Sequence, residues 1–86
     1  MANHPQAEKR NRQRIKRQAR NRFFRATMRT FIKRVRTAIE AKDGGAAREA
    51  LEKAIPIIDR CAQKGVIPRQ RASRTISRLA RAVGEA

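Results

Sequence analysis

The stretch FRATMRTFIKRVRTAIEAK, residues 24–42, decides the fold. Phe24, Met28, Phe31, Ile32, Val35, Ala38 and Ile39 recur in it at the three-and-four spacing of a helical face, and at 100° per residue they fall within an arc of about 120°. Arg25, Arg29, Lys33, Arg34 and Arg36 all lie outside that arc. The segment is therefore predicted as a helix with one apolar and one cationic side.

Upstream the same face changes character. Its continuation is occupied by Arg20, Arg17, Arg14, Gln13 and Arg10, and basic residues surround the whole circumference. Ordering residues 2–23 costs about 1–2 kcal/mol each in backbone entropy. Ile15 and Phe23, the large apolar side chains of this stretch, return about 1.5–3 kcal/mol apiece if fully buried. Like charges four residues apart, as at Arg10/Arg14, Arg12/Lys16 and Lys16/Arg20, add repulsion. Residues 1–23 are expected to be a basic extension of the first helix, frayed in free solution and helical once phosphates neutralise it.

Downstream, Asp43 is placed to cap a second helix over 44–64, with Gly44 and Gly45 supplying the tight turn. Its inward face reads Ala47, Ala50, Leu51, Ala54, Ile58, Cys61 and Ala62, and Pro56 within it is expected to bend the helix. Gly65 is a natural stop, and Pro68 suits the first turn of a third helix over 68–84. There Ala72, Ile76, Leu79, Ala80 and Val83 share an arc of about 100°, opposite Arg71, Arg74, Arg78 and Arg81. The expected fold class is all-α. A single domain, 1–86, forms a three-helix bundle, with 24–42 as the bundled part of a first helix that runs some 20 residues, or about 30 Å, beyond it.

Charge limits the function. The 86 residues carry 23 Lys and Arg against seven Asp and Glu, a formal +16. Residues 1–36 hold thirteen basic residues and one acid, Glu8; 37–63 are nearly balanced; 64–86 hold six basic residues and one acid. A solvated helix normally mixes signs to gain pairs three and four residues apart, so both ends read as built for a polyanion. Arg supplies 17 of the 23 basic residues, and its planar fork suits bidentate phosphate contacts and stacking on bases.

Other classes lack their parts. Cys61 stands alone on an apolar face and reads as a small core residue, His4 precedes Pro5 in a polar terminus, and Glu49, Glu52 and Asp59 are spread along a solvated helix. No phosphate-cradling glycine loop is present, and no zinc-type Cys/His spacing, so no enzyme, cofactor or metal is expected. The longest apolar run, Ala54 to Ile58, is five residues, far short of a membrane span. An organelle transit peptide is disfavoured because the first 36 residues contain no Ser.

A helix cationic all round expects phosphate on several sides, which a folded RNA offers more readily than one DNA groove. Basic-region DNA readers also continue into a leucine zipper, absent here. Binding to anionic lipid is the competing reading, weakened because the three apolar faces have each other to bury against and Trp is absent. Condensation of nucleoid DNA is a third. Phe23 projects on the cationic side, where it either stacks on an unpaired base or loosely covers the top of the bundle.

Several segments carry a resemblance. Met1-Ala2-Asn3-His4, Ala7 to Arg10, Arg12-Gln13, Met28 to Val35, Ala38 to Ala41, Pro56 to Arg60, Lys64 to Ile67, Ala72 to Arg74 and Ser77 to Leu79 resemble, in order and spacing, the bacterial small-subunit (30S) ribosomal protein family numbered twenty in its series. The resemblance covers nearly the whole chain. It implies a three-helix protein with an extended first helix, without catalytic activity or cofactor. The implied partner is small-subunit (16S) ribosomal RNA, bound directly and early in assembly. Few or no protein contacts are implied to be needed, with no membrane and no homo-oligomer, in a cytoplasmic, ribosome-bound protein. Carried over by position, RNA contacts fall on Lys9, Arg10, Arg12, Arg14, Lys16, Arg17, Arg20, Arg22, Arg25, Arg29, Thr30 and Lys33 of the first helix, and on Arg71, Arg74 and Arg78 of the third. Gln6, Asn11 and Ile15 depart from the family pattern.

Circular dichroism tests the energetic reading of the extension. At low salt the free protein should show the helix content of the bundle, and RNA should add that of roughly 20 further residues. Full helicity before RNA is added would refute it.

Overall fold

Three apolar faces of helical period can bury one another only as a bundle, and the computed structural model, which describes residues 5–85, has that form. Its helices are α1 (Pro5–Glu40), α2 (Gly44–Gln63) and α3 (Arg69–Glu85). His4 lies outside the described residues. The 36 residues of α1 span about 54 Å at 1.5 Å per residue, and give the molecule extents of 63 × 20 × 15 Å.

Residues 24–39 anchor α1. Val35 is fully buried, and Phe24, Met28, Phe31, Ile32, Ala38 and Ile39 pack partly buried against the core. Residues 5–20 are exposed throughout. They are nonetheless regular helix, where fraying was expected from the energetics. Arg, Lys, Gln and Ala carry little helix penalty, and a helix that grows out of a packed segment needs no new nucleus. Pro5 at the first position and Glu8 in the first turn suit a helix start, and the Arg14 guanidinium donates to Asn11 Oδ1 at 2.9 Å. The extension thus has helical geometry without tertiary packing.

The α1–α2 turn differs from the glycine turn expected of Gly44 and Gly45. The left-handed residue is Lys42, with φ 58°, while both glycines belong to the first turn of α2. Lys42 N–H donates to Ile39 O at 2.9 Å and Asp43 N–H to Ala38 O at 3.1 Å, the paired bonds of a Schellman close. Asp43 then caps α2, its Oδ1 accepting from Ala46 N–H at 3.1 Å. One residue ends α1 and starts α2, so the link cannot move to the glycines. At the far end Gly65, with φ 75°, repeats the motif: Gly65 N–H donates to Ala62 O at 3.1 Å and Val66 N–H to Cys61 O at 2.9 Å. Pro68 stands before α3, its carbonyl accepting from Ala72 N–H at 3.1 Å.

Around Val35 the core gathers Ala47, Leu51, Ala54, Ile58 and Cys61 of α2 with Ala72, Leu79 and Val83 of α3. Val66 and Ile67, read from sequence only as linker, are 5% exposed and belong to it. Ala80, expected on the inward face of α3, is exposed, whereas Thr75 and Ala82 are half-buried. The buried arc is rotated toward them, and a methyl group at the arc's edge has little leverage to oppose that. Pro56 lies exposed within a continuous α2, where its ring nitrogen cannot donate the backbone bond to the Glu52 carbonyl.

Two glycines should respond oppositely to alanine. A Cβ at Gly45 would meet no atom closer than Asp43 Oδ1 at 3.7 Å, so Gly45→Ala should raise unfolding free energy by about 0.5–1 kcal/mol. Gly65→Ala, forced to hold positive φ, should lower it by about 1–2 kcal/mol. Urea melts read both. Burial also pushes the Cys61 thiol above its ordinary 9.0. The folded state therefore favours the protonated thiol, and this stabilisation, complete below pH 9, is lost as pH rises through the raised value. Between pH 9 and 11 wild type should lose stability faster than Cys61→Ala does.

Candidate nucleic-acid interface

At 100° per residue, Arg22, Arg25, Arg29, Lys33 and Arg36 occupy about 80° on one flank of the bundled half of α1. The other flank, through Phe23, Ala26, Thr30, Arg34, Thr37 and Ala41, carries Arg34 as its one charge. The cationic flank is the one turned toward α3. Both α1 and α3 pack chiefly on α2 and touch each other little, so a groove of about 460 Å³ opens between them. Arg25, Arg29, Lys33 and Arg36 line it from α1, and Arg71 and Thr75 from α3, over an apolar floor of Met28, Ile32 and Ile67. No carboxylate lines it.

Among the described residues the one ion pair is Lys53 with Glu49, at 3.8 Å on the outer face of α2. Every expected contact cation on α1 and α3 is therefore without a carboxylate within 4.0 Å. Their charges are exposed and repel one another, a deficit that a polyanion removes. Near its end α1 uses Arg34 differently: the guanidinium lies 5.0 Å from the centre of the Phe31 ring, in cation–π contact.

The expected contact residues thus fall into three groups. Lys9, Arg10, Arg12, Arg14, Lys16, Arg17 and Arg20 are exposed around the extension, and nothing brings them together beyond the helix itself. Arg25, Arg29, Lys33 and Arg71 converge on the groove, with Arg22 one turn above on the same flank. Arg74 and Arg78 lie further out on α3 and do not line it. Thr30 donates its hydroxyl proton to Ala26 O at 3.0 Å, so a phosphate contact there would have to displace that bond.

Two features escaped the sequence reading. Arg36 completes the groove, and its seven-residue spacing from Arg29 was signal enough to place it on the same flank. The apolar floor was hidden because Ile67 lies in a linker and its meeting with Met28 and Ile32 is tertiary. At the junction of bundle and extension, Asn21 Oδ1 is buried and accepts no hydrogen bond. The acids stand elsewhere: Glu49, Glu52 and Asp59 on the exposed side of α2, Glu40 and Asp43 at the first turn, and Glu8 and Glu85 at helix ends. No described helix is long and apolar enough to cross a membrane.

Comparison with known proteins gives a consistent picture. The family model described as Ribosomal protein S20 matches residues 2–84. A small ribosomal subunit protein bS20 from Geotalea daltonii is 58% identical over 83 residues, covering 96% of this chain and 95% of the relative. Proteins of the same name from Geotalea uraniireducens and Geobacter sulfurreducens are 59% and 54% identical over the same shares.

Proposed function

The chain belongs to the ribosomal protein S20 family, and on that footing we propose that it is a structural constituent of the small ribosomal subunit, binding small-subunit (16S) ribosomal RNA directly and stabilising its fold during assembly. The observation that carries this reading is the set of cations on α1 and α3 without an acidic partner among the described residues, seven around a free-standing helix and five lining a groove without an acid. Lys9, Arg10, Arg12, Arg14, Lys16, Arg17 and Arg20 bridge RNA elements by neutralising phosphates that otherwise repel. Arg22, Arg25, Arg29, Lys33, Arg71, Arg74 and Arg78 hold the bundle against the same RNA, with Thr30 as a further phosphate-binding hydroxyl. The protein performs no chemistry and needs no cofactor. Few or no protein contacts and no homo-oligomer are required, because the three apolar faces already bury one another. In the cell it resides in the cytoplasm, on the ribosome.

If about eight phosphates are neutralised, affinity should fall with salt at a logarithmic slope of roughly six to seven. Replacing Arg12, Lys16 and Arg20 together with Gln should lower that slope by about two to three and leave thermal unfolding of the bundle nearly unchanged. Filter binding across a salt series and calorimetry read the two effects; equal loss of both would assign these residues to the fold. Anionic vesicles serve as the lipid control, and binding comparable with RNA at equal salt would favour the membrane reading. The protein should also stay with small subunits through a high-salt wash.

A further inference from the structure

Phe23 is a large apolar side chain that the bundle does not use. It remains 66% exposed, so it does not cover the top of the bundle, while its neighbour Phe24 packs against the core. The two rings meet edge to face, with centroids 5.8 Å apart and planes at 75°. A residue anchored in the core thus fixes the orientation of a ring in solvent. One turn away on its side of α1 stand Ala19, Ala26 and Thr27, too small to overhang it, and Arg20. Lys16 and Arg20 stand beside it toward the N-terminus, and neither has a carboxylate partner among the described residues. Ile15, the other large exposed apolar residue at 54%, has neither a planar face nor a second ring to hold it.

An aromatic ring held edge to face, with an open face and cations beside it, is the chemistry that receives an unpaired nucleobase: the base stacks while its phosphates meet the neighbouring charges. We propose that Phe23 is a stacking platform for one unpaired base of the RNA that the extension contacts. This rests on the RNA-binding function above and adds what phosphate contacts cannot supply: the platform fixes the register of α1 on the RNA at an unpaired nucleotide. A base-paired region offers it no free face.

The chain contains no Trp or Tyr, so Phe23→Trp introduces a single indole at the site. Titration with transcribed small-subunit ribosomal RNA should quench its emission severalfold as the complex forms. Heparin at the same salt, which neutralises cations but has no bases, should leave most of it. Phe23→Ala and Phe23→Leu should each weaken RNA binding about tenfold, with the salt slope and the melting temperature of the bundle unchanged. Undiminished F23W emission in a complex that does form would overturn the platform alone, as would wild-type affinity for the Leu variant. A fluorescence change confined to whole subunits and absent with protein-free RNA would put a protein over the ring and overturn it too. If the wild-type chain fails to bind this RNA, the function proposed above falls and the platform with it.

Discussion

The packing of one stripe of α1, from Phe24 to Ile39, on α2 and α3 sets the position of every other functional feature. Val35 lies at its centre, fully buried, with Ala47, Ala54 and Cys61 among the core residues around it. The small side chains let the helices approach closely, and a rigid α1 carries that placement outward. Residues 5–20 inherit their direction from contacts that begin at Phe24, about 6–28 Å further along the helix axis, since nothing of their own buries them. The anchored half also orients its cationic flank toward α3, which turns two separate helix faces into one groove.

Electrostatics then works against the free protein and for the complex. A formal +16 on 86 residues raises the free energy of any compact state through self-repulsion. A polyanion bound only by the folded form lowers it by linkage, so binding and ordering reinforce each other. The near-neutral α2 fits this division: its outer face carries the ion pair and three of the seven acids, leaving the repulsive charge on the two helices that flank it.

Periodicity made much of this legible. The stripe of α1, the inward face of α2 and the Asp43 cap follow from spacing and side-chain chemistry within single elements, and the structure has them. What spacing could not resolve depends on geometry between elements. Lys42 adopts the left-handed conformation despite two adjacent glycines because Asp43 is needed on both sides of the turn. Ala80 turned outward and Thr75 inward because the rotation of α3 is set by its fit on α2, to which a single methyl group contributes little. Val66 and Ile67 joined the core because the Schellman close at Gly65 folds them back over Cys61. For the candidate interface the cationic residues were plain in the sequence, whereas their convergence on Met28, Ile32 and Ile67 required the third dimension.

The brevity of the links has a kinetic meaning. Three residues, 41–43, join α1 to α2, and five, 64–68, join α2 to α3, so the contacts that define the bundle are made between near neighbours along the chain. Such low-contact-order topologies close in microseconds to milliseconds, far sooner than an encounter between dilute macromolecules. The newly made chain therefore arrives with its head already shaped, so that diffusional encounter, rather than folding speed, limits how quickly the two partners join.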